Sequence, residues 1–354
     1  MRILLTTDHF ILTCFDHGYK VRMSTLYHVL VGKRTGSVLV YAFFYHQMRY
    51  FGLLPNLNRD VYDDVLARLV ANEFLLQDEA TVQLTLKGQR ELTRLRALPT
   101  ENICSHRYLK IDDEFLDLLL FATQVISHLA YVEKDYTPIE VRVDKQRFIR
   151  SWLQSQTSDR YVLAEAFYQE WFSLLTKLPI EEATYWTKRL SGHEKIGRTS
   201  HQLLTESTTD AFAVFLCEKN YQHHLLSVLE QDIVHLPMMR SLRKGLTHHP
   251  YNQSMLETVE VIKEKGTLEA VQTIRRLKYS TVVDHLIEWA IYDEHYQTWF
   301  SLAPETTAKL KVYEKQHPMI RDWRFKDVQA VLPEIEFYEM RLFQINEIRA
   351  EVRR

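Results

Sequence analysis

The chain has 354 residues, 46% of them hydrophobic and 25% charged, and a formal net charge of −2. This composition allows two or three globular domains and argues against disorder. Nine glycines and nine prolines are each about half of average usage or less, which favours long helices with few turns. No GxGxxG and no Walker A motif is present, because Gly32-Lys33 runs into Arg34 with no glycine five residues earlier; a nucleotide-driven motor is excluded.

Residues 1–100 read as a winged helix with a small β-hairpin. Apolar periodicity runs through Phe10–Phe15, Leu26–Val31 and Val38–Phe51, then Val61–Val70 behind a cap at Asn58. Two short strands, 74–77 and 81–85, flank Asp78-Glu79-Ala80, and the stretch from Leu84 to Leu92 leads from strand into helix. From His17 to Arg59 there is no Asp or Glu, while Lys33, Arg34 and Arg49 stand among aromatic residues. Such a stretch attracts phosphate, although helical spacing of Phe and Tyr more often means core. The recognition helix carries Asp60, Asp63 and Asp64 and the wing tip Asp78 and Glu79, which repel phosphate.

Residues 101–245 read as an all-helical middle region. Asp112-Asp113-Glu114 suits the start of a helix through Val132, and 148–153, 161–178 and 212–229 continue the pattern. Trp152, Trp171 and Trp186 are expected as core or interdomain anchors. The carboxylates of Glu133-Lys134-Asp135 and Glu181-Glu182 read as helix-dipole partners.

Residues 250–354 carry the most informative run. Thr267 follows Gly266 and caps a short helix, and Ser280 caps a second one opening on Thr281. Val271, Leu277, Val282 and Leu286 fall where a helix-turn-helix buries apolar groups, leaving the second helix free to enter a major groove. Between Arg240 and Lys278 eight basic residues face four acidic ones, a phosphate-seeking edge. In the second helix Asp284 and Glu288 leave few donors for base edges, so backbone contact is favoured over base reading. Val283 and Ile287 fit either intradomain packing or docking on another protein.

The run Arg275-x-Leu277-Lys278-x-Ser280-Thr281-Val282-x-Asp284-His285-Leu286, with Phe337–Leu342 as a closing helix, resembles the helix-turn-helix domain appended to bacterial RecQ-type helicases. The similarity spans about Ser254 to Ala350. Gln272 departs from the usual small residue, and Arg276 stands where glycine is common. A winged-helix-like segment in front, without a motor, resembles the YpbB family of Firmicutes. That resemblance implies a partner, a RecQ-like helicase, and work in replication, recombination or repair.

No chemistry-bearing motif emerges. Cys14, Cys104 and Cys217 form no CxxC pair and fit free thiols in a reducing cytoplasm. Neither His223-His224 nor His248-His249 has metal-ligand spacing, and no HExxH occurs, so no metal, cofactor or catalytic residue is expected. No segment reaches the roughly 18 apolar residues of a membrane span. The expected protein is therefore a non-enzymatic, cytoplasmic DNA-binding protein or adaptor. Its nucleic-acid contacts are expected at Arg275, Arg276, Lys278, Ser280 and Thr281, and at Lys33, Arg34 and Arg49. A transcriptional regulator and a protein-only adaptor are the alternatives.

Overall fold

A computed structural model describes residues 5–95, 97–109, 111–156, 159–206, 208–244 and 251–352. The pair His248-His249 lies outside the described residues. The fold is mainly helical with one small three-stranded antiparallel sheet, as the composition and periodicity imply. Two compact units make up the chain, and neither is a continuous stretch. One, here the helical unit, comprises residues 1–13 and 89–250; the other, the winged unit, comprises 14–88 and 251–354. The three consecutive segments expected from sequence are thus rearranged, with most of the winged-helix stretch and the helix-turn-helix stretch in one unit. Among the described residues no helix is long and apolar enough to cross a membrane.

The helical unit contains α1 (Thr6–Thr13), α6 (Ser105–Tyr108), α7 (Asp112–Ala130), α8 (Val143–Gln154), α9 (Arg160–Leu175), α10 (Ile180–Arg189), α11 (Ser200–Leu204), α12 (Ala211–Gln231) and α13 (Pro237–Lys244). The acidic first turn of α7 complements the helix dipole as expected. The helix then buries Phe115, Leu119 and Ile126 against Phe167, Trp171 and Leu174 of α9 and Leu225 and Leu229 of α12. All three tryptophans foreseen as anchors are buried in this core. Trp152 donates to Ser241 Oγ at 2.7 Å and Trp171 to Thr123 Oγ1 at 2.9 Å, so burial leaves neither indole N–H unpaired. Helix α1 joins through Thr6 Oγ1, which donates to Asp210 Oδ2 at 2.8 Å, and through the Phe10–Phe212 edge contact.

The winged unit begins with β1 (Val21–Arg22), α2 (Met23–Leu30), α3 (Gly36–Phe44), α4 (Arg59–Ala71), β2 (Leu75–Asp78) and β3 (Thr81–Leu84). The strands pair in the order β1-β3-β2, with Val21 opposite Val82 and Leu75 opposite Leu84. Asn58 Oδ1 accepts the Asp60 N–H and starts α4. Tyr62, Val65, Leu66 and Leu69 then bury one stripe at helical spacing. Helix α5 (Leu86–Arg94) leaves the wing as expected and carries the boundary between the units. The chain returns with α14 (Gln253–Lys265), α15 (Leu268–Arg275), α16 (Tyr279–Tyr292), α17 (Pro304–Gln316), α18 (Phe325–Val331) and α19 (Phe337–Val352). Helix α16 packs against α3, α14, α15 and α19, which makes it the hub of this unit.

Candidate nucleic-acid interface

The helix-turn-helix is assembled from local signals. Gly266 takes φ +74° and closes α14, a left-handed position that glycine adopts without a Cβ clash. Thr267 Oγ1 then accepts the Ala270 N–H at 3.3 Å and caps α15, as the sequence indicates. Arg276 adopts φ +53°, ψ +40°, so the left-handed turn forms although the residue is not glycine. The following helix begins two residues earlier than expected, at Tyr279 and not at Thr281. Lys278 occupies the cap position, its side chain making no capping bond, and Ser280 lies inside the first turn. Val271, Val282 and Leu286 are fully buried and Leu277 half-buried, fixing the angle between the two helices.

Arg275 does not face solvent. Its guanidinium donates to Ser254 O, to Thr258 Oγ1 at 2.7 Å and to Glu257 Oε2 at 2.5 Å. Thr258 is itself fully buried and bonds His285 Nδ1 at 2.9 Å. Burial, then the nearby Arg275 charge, lowers the His285 pKa, so the imidazole is neutral and accepts the Thr258 hydroxyl. The arginine ties α14 to α15.

The second helix is not free to lie along a groove. Nine of its fourteen residues are buried, Val283 and Ile287 among them. Withdrawing six large apolar side chains from this core would cost on the order of 10 kcal/mol, comparable with the whole stability of a domain. Of its two acids, Glu288 is buried and Asp284 is exposed. Glu288 Oε1 pairs with Arg34 Nη1 at 2.5 Å, and burial, partly offset by that arginine, raises the Glu288 pKa. Asp284 keeps an exposed side chain but rests its carboxylate against Gly36, where a Cβ would collide with it, and this partial desolvation raises its pKa as well.

Apart from Asp284, what remains exposed is the turn and the first turn of α16. Arg276, Lys278 and Ser280 are exposed and Thr281 is half-exposed. Among the described residues the side chains of Arg276 and Lys278 have no hydrogen bond or ion pair. They flank a helix N-terminus, whose unsatisfied N–H groups and positive dipole end favour an anion. Glu336, bonded to the Tyr279 hydroxyl, sets an acidic limit on one side.

The other expected basic residues are mostly engaged. Arg34 lies 5.6 Å from the Phe51 ring and 5.8 Å from the Tyr292 ring besides pairing with Glu288. Arg49 is half-buried over the Tyr50 ring at 5.2 Å, and Lys33 alone of that trio is exposed. Tyr41, Phe44, Tyr50 and Phe51 are buried, so they are core side chains and not a stacking platform. Asp60, Asp63, Asp64, Asp78 and Glu79 are exposed, as expected. Of the eight basic residues between 240 and 278, Arg240, Arg243 and Lys244 belong to the helical unit, while Lys263 and Lys265 pair with Glu260 and Glu264. The apparent basic edge reduces to Arg276 and Lys278.

The helical unit holds a second surface that periodicity did not reveal. An open apolar groove of about 1730 Å³ runs between α7, α9 and α10. Tyr161, Phe172 and Ile180 line it and are more than half exposed. Each reads as an ordinary core position in a helical pattern, and only the packing shows that no neighbour covers it.

A family model described as a helix-turn-helix domain matches residues 254–344. Protein YpbB of Bacillus subtilis (strain 168) is 22% identical over 329 residues, which cover 90% of this chain and 91% of that protein. No solved structure matches.

Proposed function

We propose, for what is a YpbB-like chain with a C-terminal helix-turn-helix domain, that it is a non-enzymatic DNA-binding adaptor accompanying a RecQ-like helicase in the cytoplasm, in replication, recombination or repair. The observation that carries the DNA half is the exposure of Arg276 and Lys278 at the start of α16 while nine of that helix's fourteen residues are buried. Two cations, a hydroxyl pair and a helix N-terminus grip phosphate and leave base edges largely unread. Binding is therefore weak, salt-sensitive and tolerant of sequence. The helicase partner is what the family resemblance implies, and the apolar groove of the helical unit supports an adaptor, since such a surface suits protein and not nucleic acid.

The test is fluorescence anisotropy with a duplex and its scrambled counterpart, together with partner capture from native cytoplasm. Similar affinities for both duplexes and recovery of a RecQ-like helicase support the reading. One palindromic operator bound far more tightly than its scrambled form would favour a transcriptional regulator instead.

A further inference from the structure

The helical unit brings together three side chains that the sequence keeps apart. His128 sits in the last turn of α7. The chain then reverses at Val132, which takes φ +60°, and the Glu133 N–H donates to His128 O at 2.9 Å. This folds the Glu133 carboxylate back over the imidazole, beyond the helix C-terminus, where the dipole alone would disfavour it. The dipole-partner reading of Glu133 is thereby replaced by one in which two histidines hold it. His193 arrives from the loop after α10. Gly192 and Lys195 exchange backbone hydrogen bonds at 2.9 and 3.1 Å, and the His193 N–H donates to Ser127 Oγ at 3.0 Å. A Cβ at Gly192 would collide with that serine, so glycine is what lets the loop sit against α7.

The result is convergence on one oxygen. Glu133 Oε2 lies 2.5 Å from His128 Nδ1 and 2.8 Å from His193 Nδ1, and all three potential ligand atoms are within 4.8 Å of one another. Both rings are held in orientation, His128 stacked on Tyr136 at 3.9 Å and His193 on Tyr131 at 4.1 Å. We propose that His128, Glu133 and His193 form a binding site for a divalent cation of the zinc class.

Two imidazole nitrogens and a carboxylate are a ligand set suited to such ions, and calcium or magnesium would require more oxygen donors. On binding, each imidazole carries its proton on Nε2 and presents the Nδ1 lone pair to the metal. Ligand atoms about 2.0–2.1 Å from a tetrahedral ion stand roughly 3.3 Å apart, so the Glu133 oxygen must step back by less than about 1 Å. Its side chain is 35% exposed and has room to do so. Water, or a group from a bound partner, completes the coordination. The ion would clamp the 192–195 loop to the end of α7, beside Tyr131 and Val132 at the rim of the apolar groove.

Cobalt(II) titration of the chelator-treated full chain tests this directly, because tetrahedral cobalt absorbs in the visible. The expected result is one equivalent bound with tetrahedral-type absorption, displaced by zinc. Losing a ligand costs at least what losing an outer-sphere partner does, so His193→Gln and Glu133→Gln should each weaken binding about tenfold or more. His201→Gln, an exposed histidine of α11, serves as the control and should bind as the wild type. His193 lies on a surface loop, so circular dichroism should find its variant folded. Absence of stoichiometric binding, or a folded His193→Gln protein that binds cobalt as the wild type does, overturns the proposal.

Discussion

Arg34 and Glu288, 254 positions apart in the chain, meet at 2.5 Å in the winged unit, with 22% and 5% of their side chains exposed. The pair joins the loop before α3 to the middle of α16, so a carboxylate that would repel DNA on an open recognition helix becomes a packing element. Removing one partner strands the other. Arg34→Ala should destabilise the winged unit by about 3–5 kcal/mol, because a buried carboxylate loses its counter-charge. Replacing both residues with Met should restore most of the loss in denaturant unfolding. An Arg34→Ala protein within about 0.5 kcal/mol of wild type, the range of a surface change, would show that the pair is not buried in solution.

On the proposed reading, Arg276 carries opposite demands from fold and from DNA binding. Its left-handed backbone costs a non-glycine residue about 1 kcal/mol or more, and Gly at this position relieves that strain. Arg276→Gly is predicted to raise stability by roughly 0.5–1 kcal/mol while weakening DNA binding. Thermal unfolding and anisotropy on one sample separate the two effects. Loss of both stability and binding would mean that the side chain supports the turn.

Arg275, next to it, should behave in reverse. Arg275→Ala removes hydrogen bonds to Ser254, Thr258 and Glu257, leaving the buried Thr258–His285 pair without its donor. A loss of about 1–3 kcal/mol is expected, with the salt dependence of DNA binding unchanged below the unfolding transition. A flattened salt slope in a stable variant would instead place this arginine on phosphate.

The helical unit should weaken in acid. His223 Nδ1 accepts the Cys104 N–H at 3.0 Å, so the neutral ring donates from Nε2 to Asp112 Oδ2 at 3.2 Å. Burial lowers the His223 pKa below 6.5. The unfolded chain thus takes up a proton that the folded one refuses, and stability falls as pH drops below about 6.5. For Asp112 burial acts upward but is outweighed by the His223 hydrogen bond and the Lys219 charge, which hold its pKa at about 2. Asp113 also faces Lys219. The Asp112 contribution is present above 3.8 and disappears as pH falls toward 2. His223→Gln keeps a donor but cannot titrate, so hydrogen exchange in α7 and α12 should depend less on pH between 7 and 5. Parallel profiles for the two proteins would refute this.

Local signals in the sequence are visible because they act over a few residues. The Asn58 and Thr267 caps, the hairpin around Asp78-Glu79-Ala80 and the acidic start of α7 all form as read. The turn at Arg276 persists without glycine because the buried Val271, Val282 and Leu286 hold the helices whatever occupies the corner. What is not legible is pairing across the chain. Arg34 and Arg275 look like phosphate ligands until their acids arrive from elsewhere, and no spacing rule links His128 to a residue in the 192–195 loop. The Phe and Tyr pattern in α9 announces a helix but not that Tyr161 and Phe172 face an open groove.

The central claim is that DNA is held through the corner of the helix-turn-helix and not along its second helix. Salt-dependent anisotropy of an Arg276→Ala/Lys278→Ala protein tests it most directly, with circular dichroism to verify the fold. Loss of two phosphate contacts should flatten the slope of log K against log salt by about 1.8, at roughly 0.9 per contact. An unchanged slope and affinity, with binding abolished instead by substitution of Lys33, would contradict the account and move the interface to the other end of the winged unit's chain.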